Sequence, residues 1–77
     1  MKFKIIGKQG ESAYLVQCEE DFCLINLYTG KYNKSKDVGV FLKWGYMEEV
    51  DESQVEEMVL DYIEEVLSDP ENEYLIN

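Results

Sequence analysis

Between residues 2 and 28 apolar and polar side chains alternate around two turn-forming clusters, the signature of antiparallel hairpins. Cys18 and Cys23 bracket Glu19, Glu20, Asp21 and Phe22. A tight turn of two or four residues there pairs 18 with 23, 16 with 25 and 14 with 27. Tyr14, Val16, Cys18, Cys23, Ile25 and Leu27 then share one face. Leu15, Gln17, Glu19, Phe22, Leu24, Asn26 and Tyr28 share the other, a mixed face that needs only partial cover. A second turn over residues 7–12 pairs Ile6 with Ala13, Ile5 with Tyr14 and Phe3 with Val16, so Phe3 and Ile5 join the apolar face. Two independently placed turns thus agree on a three-stranded meander with one buried side.

Downstream, Thr29-Gly30 signals a turn and residues 31–37 read as a polar, lysine-rich connection. Val38, Val40, Leu42 and Trp44 alternate with Gly39, Phe41, Lys43 and Gly45, which predicts a fourth strand with a bend or bulge at a glycine. A helix follows from Asp51 or Ser53, with Ser53 and Glu56 spaced as a capping box, and Pro70 stops it near Ser68 or Asp69. At 100° per residue Val55, Met58, Val59, Tyr62, Ile63 and Val66 form its inward stripe, and Glu57, Asp61, Glu64 and Glu65 its outer face. The expected fold class is α+β. A three- to four-stranded antiparallel sheet, with strands at about 2–6, 13–19, 22–28 and 38–44, is packed by one C-terminal amphipathic helix at about 52–69. The 77 residues read as one small domain, and the tail over 70–77, with Tyr74, Leu75 and Ile76, is apolar enough to dock.

Charge is segregated along the chain. All seven Lys lie at or before Lys43, whereas residues 44–77 hold twelve Asp and Glu and no Lys or Arg. A net charge of −10 repels nucleic acid and anionic lipid, so direct binding to DNA, RNA or membrane is not expected and the natural partner is basic. The N-terminal apolar run is too short for a signal-peptide core, which places the expected site of action in the cytoplasm.

Five like-charge pairs at helical spacing, Glu57/Asp61, Asp61/Glu65, Asp61/Glu64, Glu52/Glu56 and Glu65/Asp69, together oppose folding by about 1–2.5 kcal/mol at low salt. Solubility alone accounts for a solvated acidic face, but a mixed-charge surface would serve with less repulsion. The other account is a surface complementary to a basic partner. Carboxylates three and four residues apart on a helix lie about 5–6 Å from one another, comparable to the ~6–7 Å between successive phosphates of a nucleic-acid strand. Both accounts are open at the level of sequence. The candidate partner-binding residues are Glu57, Asp61, Glu64, Glu65, Glu48 and Glu49.

In size, acidity, α+β pattern and unpaired cysteines, and in the acidic segment from Glu48 to Glu73, the chain resembles the small phage-encoded inhibitors that imitate nucleic acid, anti-CRISPR and anti-restriction proteins among them. That resemblance implies a non-enzymatic inhibitor acting in the host cytoplasm on a nuclease complex, blocked where nucleic acid would bind. The alternative is a non-inhibitory adaptor or small structural subunit of a cytosolic or phage assembly, binding through Phe22, Leu24 and Tyr28 or through the tail; a monomer or weak dimer fits either.

No cofactor is expected. The chain has no His, its two cysteines lack metal-site spacing, and the alternating Asp/Asn loop of a calcium site is missing. Cys18 and Cys23 read as core thiols of a hairpin end, with a cross-strand disulfide conceivable under oxidation. Exposed helical glutamates offer no pocket to push two carboxyl pKa values apart, so acid/base catalysis is not expected either.

Overall fold

The structure is a computed structural model and describes residues 2–74. Five strands form one antiparallel sheet in the order β4-β3-β2-β1-β5: β1 (Lys4–Gln9), β2 (Ala13–Cys18), β3 (Asp21–Asn26), β4 (Lys31–Ser35) and the two-residue β5 (Glu48–Glu49). A one-turn helix α1 (Gly39–Leu42) connects β4 to β5, and the main helix α2 (Glu57–Ser68) lies between two 3-10 turns, Glu52–Gln54 and Pro70–Asn72. The α+β class, the meander and the C-terminal helix follow the sequence expectation; the sheet has five strands rather than three or four.

Both faces of the sheet are covered. Ile5, Val16, Cys23, Ile25 and Tyr32 pack against Ile63, Val66 and Leu67 of α2. Leu15 and Leu24, pointing the other way, pack against Phe41 of α1 with Ile6, Ala13, Phe22, Val38 and Met47 around them. The face expected to be half covered is therefore a second core, in which Leu24 is buried and Phe22 partly buried.

The hairpin registers differ from expectation while their faces do not. The β2–β3 turn is the two residues Glu19 and Glu20, with Glu19 at φ 57°, so Cys18 faces Asp21, Val16 faces Cys23 and Tyr14 faces Ile25. That is a slip of two residues, which returns every side chain to the same face. In β1 the turn occupies residues 10–12, Ile5 faces Val16 and Gln9 faces Ala13, and the register shifts between Ile5 and Gly7. Ile5 lies in the first core and Ile6 in the second, as neighbours on a strand do, and the bulge then sets Gly7 opposite Leu15 rather than Tyr14. Beyond it Gly7 passes close to β5: a Cβ there would stand 2.8 Å from both the Glu48 carbonyl and Met47 Cγ.

The expected strand over 38–44 is instead α1, and the expected connection over 31–37 contains β4. Residues 31–35 carry only Tyr32 as an apolar side chain, because an edge strand needs one buried face and tolerates lysine on the other. At 38–44 the alternation is misleading: Phe41 is buried, whereas Val40, Leu42 and Trp44 are exposed. Asp37 starts the turn, its carboxylate accepting from Gly39 N–H (2.9 Å) and its carbonyl from Val40 N–H (3.2 Å). From β1, the Gln9 side-chain amide donates to the carbonyls of Phe41 (3.0 Å) and Gly45 (3.1 Å), tying α1 to the sheet. The tail residues Glu73 and Tyr74 lie parallel along β4, with Tyr74 N–H donating to the Tyr32 carbonyl (2.6 Å). The expected docking of Leu75 and Ile76 falls outside the described residues.

Gly30, at φ 70°, closes the β3–β4 turn by donating to the Asn26 carbonyl (2.9 Å), and a Cβ on it would meet the Tyr62 hydroxyl at 3.1 Å. Gly30→Ala is expected to lower unfolding free energy by about 1–2 kcal/mol, measured by urea denaturation, because alanine resists the left-handed backbone. Burial, and next the charge of Cys18, push the Cys23 thiol from its ordinary 9.0 up to about 12. Its stabilising contribution is fully present below the ordinary value and is lost as pH rises towards the folded one. Stability should therefore fall between pH 9.0 and about 12, and Cys23→Ala should flatten that part of the pH profile.

Candidate functional site

Local hydrogen bonding decides where the acidic helix begins and ends. Asp51 accepts from Ser53 N–H through its side chain (3.0 Å) and from Gln54 N–H through its carbonyl (2.9 Å), closing the 3-10 turn. The Ser53 backbone N–H, together with its side chain, holds the exposed Asp51 carboxyl below its ordinary pKa. Val55 and Glu56 are extended, and α2 starts only at Glu57, with Glu56 as N-cap by its carbonyl and no side-chain cap bond. The expected Ser53–Glu56 capping box is therefore absent and the helix is shorter than 52–69. At the other end Pro70 stops it as expected. Asp69 caps the following turn by accepting from Glu71 N–H (2.9 Å), and Asn72 donates to the Val66 carbonyl (3.1 Å).

Helix α2 sits on the sheet through Ile63, Val66 and Leu67, with Val59 and Leu60 beside them. Its inward stripe is thus rotated from the expected one towards Leu60 and Leu67. Met58 and Tyr62, expected inside, are 70% and 37% exposed. Glu57, Asp61, Glu64 and Glu65 are all exposed on the side of α2 away from the sheet. On the helical net Met58 and Tyr62 adjoin Asp61 and Glu65, so an aromatic ring and a thioether border the acids. Tyr62 reaches the β3–β4 turn, where its hydroxyl lies against Gly30, and Tyr28 of that turn is 90% exposed. Aromatic and methionine side chains of this kind are enriched in protein interfaces.

The six expected site residues do not form one patch. Glu48 and Glu49 are in β5 at the sheet edge, Glu48 opposite Lys8 and Glu49 opposite Gly7, and their side chains point to opposite faces. The structure also divides the acids by local role. Asp51 and Asp69 are caps, Glu57 stands in the first turn where the helix dipole favours a carboxylate, and Glu52 and Asp69 lie outside α2. Of the five repulsive pairs read from sequence, three remain on the helix, and all three include Asp61.

Two open clefts lie elsewhere. One, of about 250 Å³, is lined by Cys18, Cys23, Tyr32 and Lys34 among others. The other, of about 450 Å³, runs between β4, α1 and Tyr74 beside half-exposed Trp44, whose ring meets Phe41 edge-on at 5.4 Å. Trp44, Leu42 and Tyr46 are exposed on the α1–β5 connection, a surface that the strand expectation hid. Among the described residues no group of three or more His, Cys, Asp or Glu is placed to hold a metal ion, and no helix is long and apolar enough to cross a membrane. No protein-family model, curated protein or solved structure matches the chain at a significant level.

Asp61→Asn removes all three remaining repulsive pairs at once. It is expected to raise unfolding free energy by about 0.6–1.5 kcal/mol at low ionic strength. The gain should vanish near 1 M salt, where the screening length is about 3 Å, as read from paired denaturation curves.

Proposed function

We propose that this protein is a non-enzymatic inhibitor that binds the basic, nucleic-acid-binding surface of a nuclease or another nucleic-acid-handling protein through the outer face of α2. The observation that carries this reading is the exposure of Met58 and Tyr62 beside Asp61 and Glu65. A face needed only for solubility has no use for an exposed thioether and aromatic ring at its border. A docking face does: carboxylates meet lysines and arginines, and the apolar side chains supply desolvated area. The repulsion centred on Asp61 is relieved when cations come between the acids, so part of the free energy opposing folding returns on binding. The resemblance to phage-encoded nucleic-acid mimics supports the same target class, with the row of acids standing where phosphates would lie.

A second reading, an adaptor or small structural subunit, draws support from Leu42, Trp44 and Tyr46, which stand exposed on the side away from α2. The two readings respond differently to salt. Charge mimicry requires affinity to fall steeply from low to physiological ionic strength and to be competed by DNA or RNA, whereas an apolar interface does neither.

Changing Glu57, Glu64 and Glu65 to Gln and Asp61 to Asn together should abolish binding to a target captured from lysate, while thermal stability is kept or raised. Binding that survives with unchanged salt dependence would exclude the α2 face; in that case Trp44→Ala and Tyr46→Ala should be the variants that lose the partner.

A further inference from the structure

We propose that the α1 surface around Trp44 and Tyr74 docks a second copy of this chain, giving a weak two-fold dimer that turns both α2 faces outward. Val40, Phe41, Trp44 and Tyr74 line the cleft of about 450 Å³ beside β4. Leu42 and Tyr46 continue the exposed apolar surface along the connection to β5. The space inward of Trp44 is taken by Phe41, which meets its ring edge-on at 5.4 Å and packs with Leu15 and Leu24 in the second core. The indole is thereby held half in solvent.

Area bears on what can cover this surface. A fully buried aromatic side chain removes about 150–250 Å² from water. At 47%, 61% and 85% exposure, Trp44, Tyr74 and Tyr46 together leave roughly 300–500 Å² of aromatic side chain in water. Two copies supply roughly 600–1,000 Å², and interfaces are about 60% non-polar, so a two-fold contact totals about 1,000–1,600 Å². That range straddles the lower bound of about 1,200 Å² for a specific interface, which fits a dimer formed only at high protein concentration.

Charge favours the same occupant. A surface of one sign repels its own copy across a two-fold axis, whereas a surface carrying both signs can complement itself. In a chain of net charge −10, residues 33–46 hold Lys34, Lys36 and Lys43 against Asp37 alone. Lys34 and the carboxylate residue Glu73 line the same cleft, so lysines of one copy can face Glu73 of the other. The sheet separates this contact from α2, because α1 and α2 cover opposite faces. Pairing through strand edges is disfavoured: Tyr74 N–H already donates to the Tyr32 carbonyl on β4, and β5 offers only Glu48 and Glu49. The contact is independent of what α2 binds.

Sedimentation equilibrium of the whole chain, from about 10 μM to about 1 mM, reads the dissociation constant directly. A monomer–dimer equilibrium is expected. Raising salt from about 0.01 M to about 0.1 M, which shortens the screening length from about 30 Å to about 10 Å, should tighten it at least about tenfold. Repulsion between two bodies of charge −10 outweighs the few lysine–glutamate pairs at the contact. Trp44→Ser and Tyr74→Ser should each weaken the dimer at least about tenfold, the loss of an aromatic anchor. Tyr28→Ser, on the β3–β4 turn, should leave it unchanged. Folding is checked by circular dichroism, and Tyr74, which belongs to neither core, keeps the test decisive if the Trp44 variant unfolds. A chain still monomeric at about 1 mM would overturn the proposal and leave the surface to a different partner. So would a dimer that salt dissociates, one that Trp44→Ser and Tyr74→Ser leave intact, one that Tyr28→Ser weakens equally, or association beyond two copies, since a two-fold contact closes at two.

Discussion

The structure depends on the burial of β2 and β3 from both sides. Leu15, Val16 and Ile25 lose all contact with solvent, and in each strand the adjacent residues point to opposite faces. A chain of 77 residues must therefore supply two covers for one sheet. One is α2, whose Ile63, Val66 and Leu67 close the first core. The other is the short α1 with Phe41 at its centre, and a one-turn helix has little intrinsic stability. It is held from outside itself, by the Gln9 amide on the carbonyls of Phe41 and of Gly45 just beyond it, and by Asp37 at its start. Covering both faces also explains the close passage of β5 over Gly7, where any side chain would push Met47 away from the second core.

The arrangement of covers determines what the acidic half of the chain can do. Once α2 is seated by its apolar stripe, its outer face is set by geometry, and Glu57, Asp61, Glu64 and Glu65 fall on exposed positions of it. The remaining acids of that half are divided among caps, the two 3-10 turns and a sheet edge. Asp51 and Asp69 close turns, and Glu48 opposes Lys8 across the β1–β5 pair. The seating of α2 against Tyr32 and Ile25, rather than the acids themselves, leaves Met58 and Tyr62 at the margin of this face.

Much of the fold was legible because strand faces follow parity. A two-residue slip at Glu19-Glu20 leaves Val16, Cys23 and Ile25 together, so the face assignment survives an incorrect register. The Ile5–Gly7 bulge absorbs the odd step in β1 and could not be read, since nothing in Ile-Ile-Gly distinguishes a regular strand from a bulged one. Residues 31–35 and 38–44 were exchanged in kind for a related reason. Tyr32 alone gives β4 too weak a pattern, while Val38, Val40, Leu42 and Trp44 imitate a strand although Phe41 does the packing. The acids on α2 were found by spacing alone, but Met58 and Tyr62 could not be, because they lie within the hydrophobic arc and only the seating of the helix shows which edge of that arc stays wet.

Sequence by itself determined the α+β class, the order of hairpins and helix, the stop at Pro70, the segregation of charge and the outward face of the acids. Each of these rests on local chemistry: period, turn residues, the missing proline N–H and the sign of side chains. Tertiary structure decided the registers, the second core under α1, the rotation of α2 and the diagonal placement of Cys18 and Cys23. Those rest on which surfaces compete for the same buried area, and that competition is settled only when all five strands and both helices are in place.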